Sequence, residues 1–154
     1  MNRRSIILTG VFSLLVLTFF AAPQGRNLLY FALAETYQGE KLSVQQAHWA
    51  ASKGEIILID IRRPDEWKTT GIAASALPLD MRRDDFTQQL GMLVDGNKNA
   101  AVALICARGV RSAGLANRLQ EAGFTRIMDV PEGMFGSAAG PGWLQSGLPL
   151  KSAG

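Results

Sequence analysis

Residues 101–112 read Ala-Val-Ala-Leu-Ile-Cys-Ala-Arg-Gly-Val-Arg-Ser, and this stretch decides the fold. Its apolar first half is typical of a buried strand. The strand leads directly into Cys106, the only cysteine of the 154-residue chain. A short loop follows, and we predict that a helix begins near Arg111 or Ser112. The sequence therefore places a thiol between the carboxyl end of a strand and the N-terminus of a helix.

This placement favours a charged sulfur. Backbone N–H groups and the positive end of a helix dipole stabilise a bound anion or a thiolate. Gly109 permits the tight turn that such a loop requires, and Arg111 adds a fixed positive charge near the sulfur. An isolated cysteine at a strand end is usually inert and buried. The Cys-x4-Arg-Ser spacing at a strand-to-helix junction instead predicts a thiol with a chemical function.

The rest of the chain alternates short helices and strands. The first predicted elements, in chain order, are a helix capped by Ser43 and Gln46, a strand over 56–60, a helical turn from Pro64, and a brief strand over 76–79, where Pro78 indicates an edge strand or the end of a strand. A helix from Asp84 or Asp85, the strand, loop and helix around Cys106, and a last strand over 126–130 follow. This order predicts an α/β domain with a mainly parallel central sheet flanked by helices. Residues 35–42 are expected to be a polar lead-in. Residues 133–147 are expected to form an ordered closing loop that buries Met134, Phe135, Trp143 and Leu144.

The first 34 residues are predicted to be a signal peptide or membrane anchor. Two arginines precede an apolar run over residues 6–22, and the Ala-Leu-Ala of residues 32–34 matches a signal peptidase site. We therefore expect export to the periplasm, with residues 35–154 as the mature domain. The alternative is an uncleaved N-terminal helix, since the run is at the short limit for spanning a membrane. It would anchor the domain to the outer face of the inner membrane.

The charge of the predicted mature domain gives no indication of a nucleic-acid partner. The chain has 16 basic and 13 acidic residues. Three of the arginines, at positions 3, 4 and 26, lie in the N-terminal segment, which leaves 13 residues of each sign. A formally neutral domain also argues against polybasic contact with a membrane surface. We expect a monomer.

The inventory of ligating side chains predicts neither a disulfide nor a metal centre. A single cysteine cannot form an intramolecular disulfide in an oxidising compartment, so Cys106 is a free thiol. His48, the only histidine, lies on the first predicted helix, far in sequence from the loop. No Cys–His pair and no metal-ligand cluster is implied.

Several motifs together resemble the single-domain rhodaneses, which are thiosulfate sulfurtransferase modules, over residues 42–150. The most specific is Cys106-Ala-Arg-Gly-Val-Arg-Ser112, with six residues from cysteine to arginine; the related dual-specificity phosphatases use a loop one residue longer. The others are Leu58-Ile-Asp-Ile-Arg62 with Pro64, Glu66-Trp67, Glu132-Gly-Met134 with Trp143, and Gly147-Leu-Pro149. Residues 70–76 lack the histidine that many family members carry there, which concerns local packing rather than catalysis.

The resemblance implies a sulfurtransferase that needs no cofactor. The Cys106 thiolate would attack the outer sulfur of thiosulfate or a similar small donor and hold it as a persulfide. A thiophilic acceptor would then take the sulfur. The loop residues implied to bind the substrate are Ala107, Arg108, Gly109, Val110 and Arg111.

Three residues are implied to support the loop. Asp60 and Arg62 are expected to brace it from the neighbouring strand end, and Ser112 is expected to start the helix. Arg111 has two interpretations. It orients the loop or neutralises an incoming anion, or it forms an internal salt bridge with Asp60 or Glu66.

Three other functions fit parts of the same pattern. A non-catalytic rhodanese-like binding module would need to retain neither Cys106 nor Arg111. Phosphatase or arsenate reductase chemistry would require the longer loop. A redox sensor or persulfide carrier needs the same thiol, so the sequence does not separate it from an enzyme.

Overall fold

A computed structural model describes residues 35–153 of the chain, and the predicted N-terminal signal or anchor segment lies outside them. The helices and strands of this part, in order, are β1 (Glu40–Lys41), α1 (Val44–Ser52), β2 (Ile57–Asp60), α2 (Pro64–Thr70), β3 (Ile72–Ala73), β4 (Ala76–Pro78), α3 (Phe86–Leu93), β5 (Val102–Ile105), α4 (Val110–Glu121), β6 (Ile127–Asp129), α5 (Gly142–Gln145) and β7 (Leu150–Lys151). Among the helices of residues 35–153, none combines the length and apolar character needed to cross a membrane.

Five strands form a parallel sheet in the order β1-β6-β5-β2-β4. The central strand β5 pairs with β2, where Leu58 lies opposite Ala103, and with β6, where Leu104 lies opposite Asp129. The predicted parallel sheet is therefore confirmed. Because all of its strands run the same way, the carboxyl ends of β2, β5 and β6 meet at one edge, where Asp60, Cys106 and Asp129 lie.

Both faces of the sheet are covered, which explains the continuous apolar runs of its inner strands. All four residues of β5 are buried. One face packs against α3 and α4, and the other packs against α1 and the segment that contains Trp143. Strand β5, which leads into Cys106, is therefore packed on both faces.

The N-terminus of α1 follows the predicted capping box. The Ser43 hydroxyl accepts a hydrogen bond from the Gln46 N–H at 3.2 Å, and the Gln46 side chain accepts one from the Ser43 N–H at 2.8 Å. The predicted polar lead-in needs a correction, because Glu40 and Lys41 form β1 and pair with β6. Both side chains are exposed, so an apolar pattern is missing there.

Other boundaries also differ from the predictions. Helix α4 begins at Val110, after an N-cap glycine with φ of +81°. Asp85 precedes α3, but its carboxylate binds Arg83 instead of capping the helix. The last strand is β7, which pairs with β3 in a separate antiparallel ribbon. Among the apolar residues of the closing loop, Phe135 is 42% exposed, contrary to its predicted burial.

Candidate active site

The sulfur of Cys106 lies buried in the loop between β5 and α4. The residue is 1% exposed. The N–H of Gly109 donates a hydrogen bond to Sγ at 3.1 Å, and the Ser112 hydroxyl lies 3.5 Å from the same atom. The loop therefore folds back on the sulfur and presents hydrogen-bond donors to it.

The loop has unpaired backbone donors. Within residues 35–153, the backbone N–H groups of Ala107, Arg108, Val110 and Arg111 have no hydrogen-bond partner. The last two belong to the first turn of α4, where helix geometry leaves N–H groups free. Free N–H groups at a helix N-terminus are the usual means by which backbone binds an anion.

The carbonyl groups of the loop are held on its opposite side. Met134 and Phe135 donate their N–H groups to the carbonyl oxygens of Cys106 and Ala107, each at 2.9 Å. The close approach of these two backbone segments requires glycine at positions 109 and 133. A Cβ on Gly133 would lie 2.6 Å from the Ala107 oxygen, and a Cβ on Gly109 would collide with the carbonyl of Pro131. The segment from Pro131 to Phe135 thus turns the loop carbonyls away from the sulfur.

Arg111 forms a two-pronged ion pair with Glu66 of α2. Its two terminal nitrogens donate to the two carboxylate oxygens at 2.9 and 2.7 Å. The internal salt bridge is therefore formed with Glu66 and not with Asp60. Burial acts to raise the pKa of Glu66, but hydrogen bonds from Arg111 and from the Arg63 N–H, with the charges of both arginines, lower it to about 2. The pair joins the first turn of α4 to α2.

Asp60 and Arg62 form a second, fully buried ion pair. The guanidinium donates to the carboxylate at 2.7 Å, and both side chains have no exposed surface. Arg62 also donates to the Thr70 hydroxyl and to the Gly71 carbonyl, each at 2.8 Å. Arg62 was expected to support the cysteine loop. Its hydrogen bonds instead join Asp60 to Thr70 and Gly71 at the end of α2.

The remaining predicted site residues have distinct positions. Ser112 is buried in the first turn of α4 and donates to the Gly109 carbonyl at 3.1 Å. Arg108 is exposed beside the loop, and Val110 is half-buried. His48 packs edge-on against Trp143, with 5.6 Å between the ring centres. Residues 35–153 contain no group of three or more His, Cys, Asp or Glu side chains placed to hold a metal.

Two contributions to the site were not found from the sequence. The backbone of Met134 and Phe135 supports the loop through N–H groups, which side-chain identity does not reveal. Asp129 is buried at the same edge of the sheet as Cys106, and its position there depends on the pairing of β5 with β6. Gly133, which lies in the Glu132-Gly-Met134 motif, is a residue whose identity could have indicated the close backbone approach.

Glu66→Gln is expected to lower stability in a pH-dependent way. A carboxyl whose folded pKa lies below its unfolded value stabilises the fold above the unfolded pKa. That contribution is lost as pH falls through the folded pKa. The difference in free energy of unfolding between wild type and variant should therefore be constant above about pH 4.5 and disappear toward about pH 2.

Urea unfolding of both proteins across this pH range measures the difference directly. Glu55→Gln, the same change at an exposed site, is the matched control and should show no comparable trend. A difference between wild type and Glu66→Gln that persists unchanged at pH 2 would contradict the role given to the ion pair.

Comparisons with known proteins place this geometry in a family. A model of the Rhodanese-like domain family matches residues 43–139. An uncharacterized protein of Rickettsia prowazekii is 26% identical over 99 residues, which cover 60% of this chain and 80% of the relative.

Two solved structures are similar in fold. One is the homodimeric polysulfide-sulfur transferase of Wolinella succinogenes, with a TM-score of 0.54, 24% identity and 88% of each chain covered. The other is a Rhodopseudomonas palustris protein of unknown function described as a possible tyrosine phosphatase. It has a TM-score of 0.53 and 19% identity, with 83% of this chain and 92% of that chain covered. Because the family model covers more than half of the chain and the parallel sheet carries the cysteine loop at its carboxyl edge, the chain belongs to the rhodanese-like domain family.

Proposed function

We propose that this protein is a sulfurtransferase that carries sulfane sulfur on Cys106. The unpaired backbone N–H groups around a buried sulfur carry this proposal. A persulfide is anionic and compact, and each hydrogen bond to such a charged group contributes about 1.5–3 kcal/mol. The loop offers several such donors.

The proposed reaction has two steps. The Cys106 thiolate attacks the outer sulfur of thiosulfate, a new S–S bond forms, and sulfite leaves with the electron pair of the broken bond. Free N–H groups of the loop hold the terminal sulfur. A small thiophilic acceptor such as cyanide then attacks that sulfur and regenerates the thiolate.

The arginines have separate tasks in this proposal. Arg111 is engaged by Glu66, so it fixes the start of α4 and keeps one positive charge near the sulfur. Arg108 is exposed at the loop and is the side chain available to meet the sulfonate of a donor. We propose a monomer that acts on small molecules and not on nucleic acid.

Intact mass spectrometry after brief incubation with thiosulfate tests the proposal. The expected result is a gain of one sulfur atom, with stoichiometric sulfite release, and loss of that sulfur on addition of cyanide. A folded protein whose thiol alkylates freely but gains no sulfur would refute the thiosulfate half-reaction. Hydrolysis of p-nitrophenyl phosphate in its place would favour phosphatase chemistry.

We also propose that the domain works outside the cytoplasm. The basic start, the apolar run and the Ala-Leu-Ala of residues 32–34 support this location. Fusion of alkaline phosphatase after the last residue should give an active enzyme, since that reporter folds only when exported. An inactive fusion, with the same fusion active behind a known signal peptide, would contradict export.

A further inference from the structure

Glu132 carries a buried carboxyl group in the segment that supports the cysteine loop. The residue is 4% exposed. The residues that follow it are Gly133, Met134 and Phe135, whose backbone approaches the loop. No ion pair within residues 35–153 includes Glu132. A buried charge is costly unless hydrogen bonds compensate it, so the donors that Glu132 binds reveal its role.

Both carboxylate oxygens of Glu132 accept hydrogen bonds from backbone at helix starts. Oε1 accepts from the Val44 N–H at 3.1 Å, and Oε2 accepts from the Gly142 N–H at 3.1 Å. Val44 is the first residue of α1, and Gly142 is the first residue of α5. N–H groups in a first helical turn have no partner within their own helix. Glu132 therefore joins two elements that are distant in the chain.

Backbone packs closely around this carboxylate. A Cβ on Gly140 would lie 2.6 Å from Oε2 of Glu132, and a Cβ on Gly142 would collide with the Gly136 nitrogen. The glycines of residues 136–142 thus allow backbone to lie directly against the carboxylate. A displaced Glu132 side chain would have to move this backbone, so its position is well determined.

The two peptides after Cys106 are oriented by hydrogen bonds to their carbonyl groups. Met134 donates to the Cys106 carbonyl at 2.9 Å, and Phe135 donates to the next carbonyl, also at 2.9 Å. The C=O and N–H groups of a planar trans peptide point in opposite directions. The N–H groups of Ala107 and Arg108 are therefore held on the side away from these donors. Neither has a hydrogen-bond partner among the described residues.

We propose that Glu132 is a positioning residue that fixes the cysteine loop for sulfur transfer. By binding α1 and α5, its carboxylate holds residues 133–135 in place. These residues in turn hold the loop peptides so that their N–H groups stay free for the transferred sulfur. The hydrogen bonds of Glu132 run to backbone outside the loop, so its effect on the sulfur is indirect. This inference rests on the proposed function, because it concerns the donors that bind the transferred sulfur.

Glu132→Gln tests this role with a minimal change. Glutamine keeps the shape of the side chain, but its amide nitrogen is a donor, so one of the two hydrogen bonds from backbone N–H is lost. We expect kcat for sulfur loading from thiosulfate to fall at least about tenfold, as when a hydrogen bond to a charged group is lost. KM for thiosulfate should stay within about twofold of wild type, because only the reacting state uses the oriented donors. Glu121→Gln, the same change at an exposed site, is the matched control and should behave as wild type.

Val44→Pro makes the complementary change on the helix. It removes the N–H that binds Oε1 of Glu132 and leaves the carboxylate intact. Proline is favoured at the first position of a helix, and the backbone of Ser43, with φ of −67° and ψ of 162°, suits a residue before proline. The same fall in kcat is expected, again with little change in KM.

Phe124→Leu controls for loss of stability alone. Phe124 is 2% exposed and lies just before β6, at the edge of the sheet opposite to Cys106. The smaller side chain leaves a cavity and lowers the urea midpoint. Because the hydrogen bonds of Glu132 are untouched, kcat and KM should remain those of wild type while the protein is folded.

Amide hydrogen exchange provides a readout that needs no sulfur donor. In Glu132→Gln and Val44→Pro, the amides of Met134 and Phe135 should exchange at least about tenfold faster than in wild type, since a lost hydrogen bond makes local opening easier. The amides of β5 should keep their wild-type exchange rates. This contrast separates release of the supporting segment from general unfolding.

Several results would overturn the inference. They are an unchanged kcat in both variants, a fall in kcat of Phe124→Leu as large as that of Val44→Pro, or unchanged exchange at Met134 and Phe135. Val44→Pro decides the matter if Glu132→Gln does not fold. Faster exchange at those two amides, in a protein whose wild type gains no sulfur from thiosulfate, would keep the support of the loop by Glu132 and refute the sulfurtransferase proposal instead.

Discussion

Cys106→Ser is expected to reduce sulfur loading from thiosulfate to background, a fall of at least about a thousandfold, as is usual when a nucleophile is removed. A serine hydroxyl does not form a persulfide, and the chain has no other cysteine to replace it. The measurement is the mass gain after incubation with thiosulfate, together with sulfite release. A gain of sulfur by the variant would refute the assignment of Cys106.

The fold of this variant should be preserved, which makes the test interpretable. Serine is close to cysteine in size, and its oxygen can accept the hydrogen bond that the Gly109 N–H gives to Sγ. The circular dichroism spectrum and the urea midpoint should therefore stay near those of wild type. Ser137→Ala, which changes a hydroxyl bound to the Pro131 carbonyl at 2.8 Å, is a control for mild disturbance of the supporting segment and should still load sulfur.

Arg62→Ala is expected to destabilise the domain by about 3–5 kcal/mol, because removing one partner leaves an uncompensated buried charge. The variant loses the contacts to Asp60, Thr70 and Gly71 together. A loss of this size is a large part of the stability of a typical domain. Chemical denaturation at neutral pH measures it, and a midpoint equal to that of wild type would show that the buried pair is not needed.

The chain contains its own matched control for this prediction. Asp80 and Arg82 repeat the same spacing and nearly the same hydrogen bonds, with the closest nitrogen and oxygen 2.6 Å apart compared with 2.7 Å in the buried pair. Arg82 is 59% exposed, so water replaces the lost contacts when it is removed. Arg82→Ala should leave the denaturation midpoint nearly unchanged. Similar losses in both variants would mean that burial is not the cause.

The sequence was most informative where structure is local. The capping box at Ser43 and Gln46 involves residues three positions apart, and the β5 run is apolar throughout because both faces of that strand are covered. Proline at position 78 indicated an edge strand or the end of a strand, and β4 both lies at the edge of the sheet and ends at Pro78. Each of these signals depends on neighbouring residues alone, so each can be recognised before the fold is known.

Several errors concern contacts between distant parts of the chain. Strand β1 consists of two exposed charged residues, so only its pairing with β6 defines it. Phe135 contributes its backbone N–H to the loop while its ring stays largely exposed, and hydrophobicity does not indicate this. The Arg111–Glu66 pair was one of two alternatives, because the sequence does not determine whether Glu66 of α2 or Asp60 of β2 lies beside Arg111. The position of Asp129 at the edge of the sheet that carries Cys106 likewise follows from strand register.

The bonds from Met134 and Phe135 to the cysteine loop have a consequence for biosynthesis. These residues follow Cys106 in the chain, so a nascent polypeptide that ends before them contains the thiol without the segment that orients its loop. Translation delivers the supporting segment after the loop. Incomplete chains are therefore expected to carry an ordinary cysteine, and the reactive form arises only when synthesis is nearly finished.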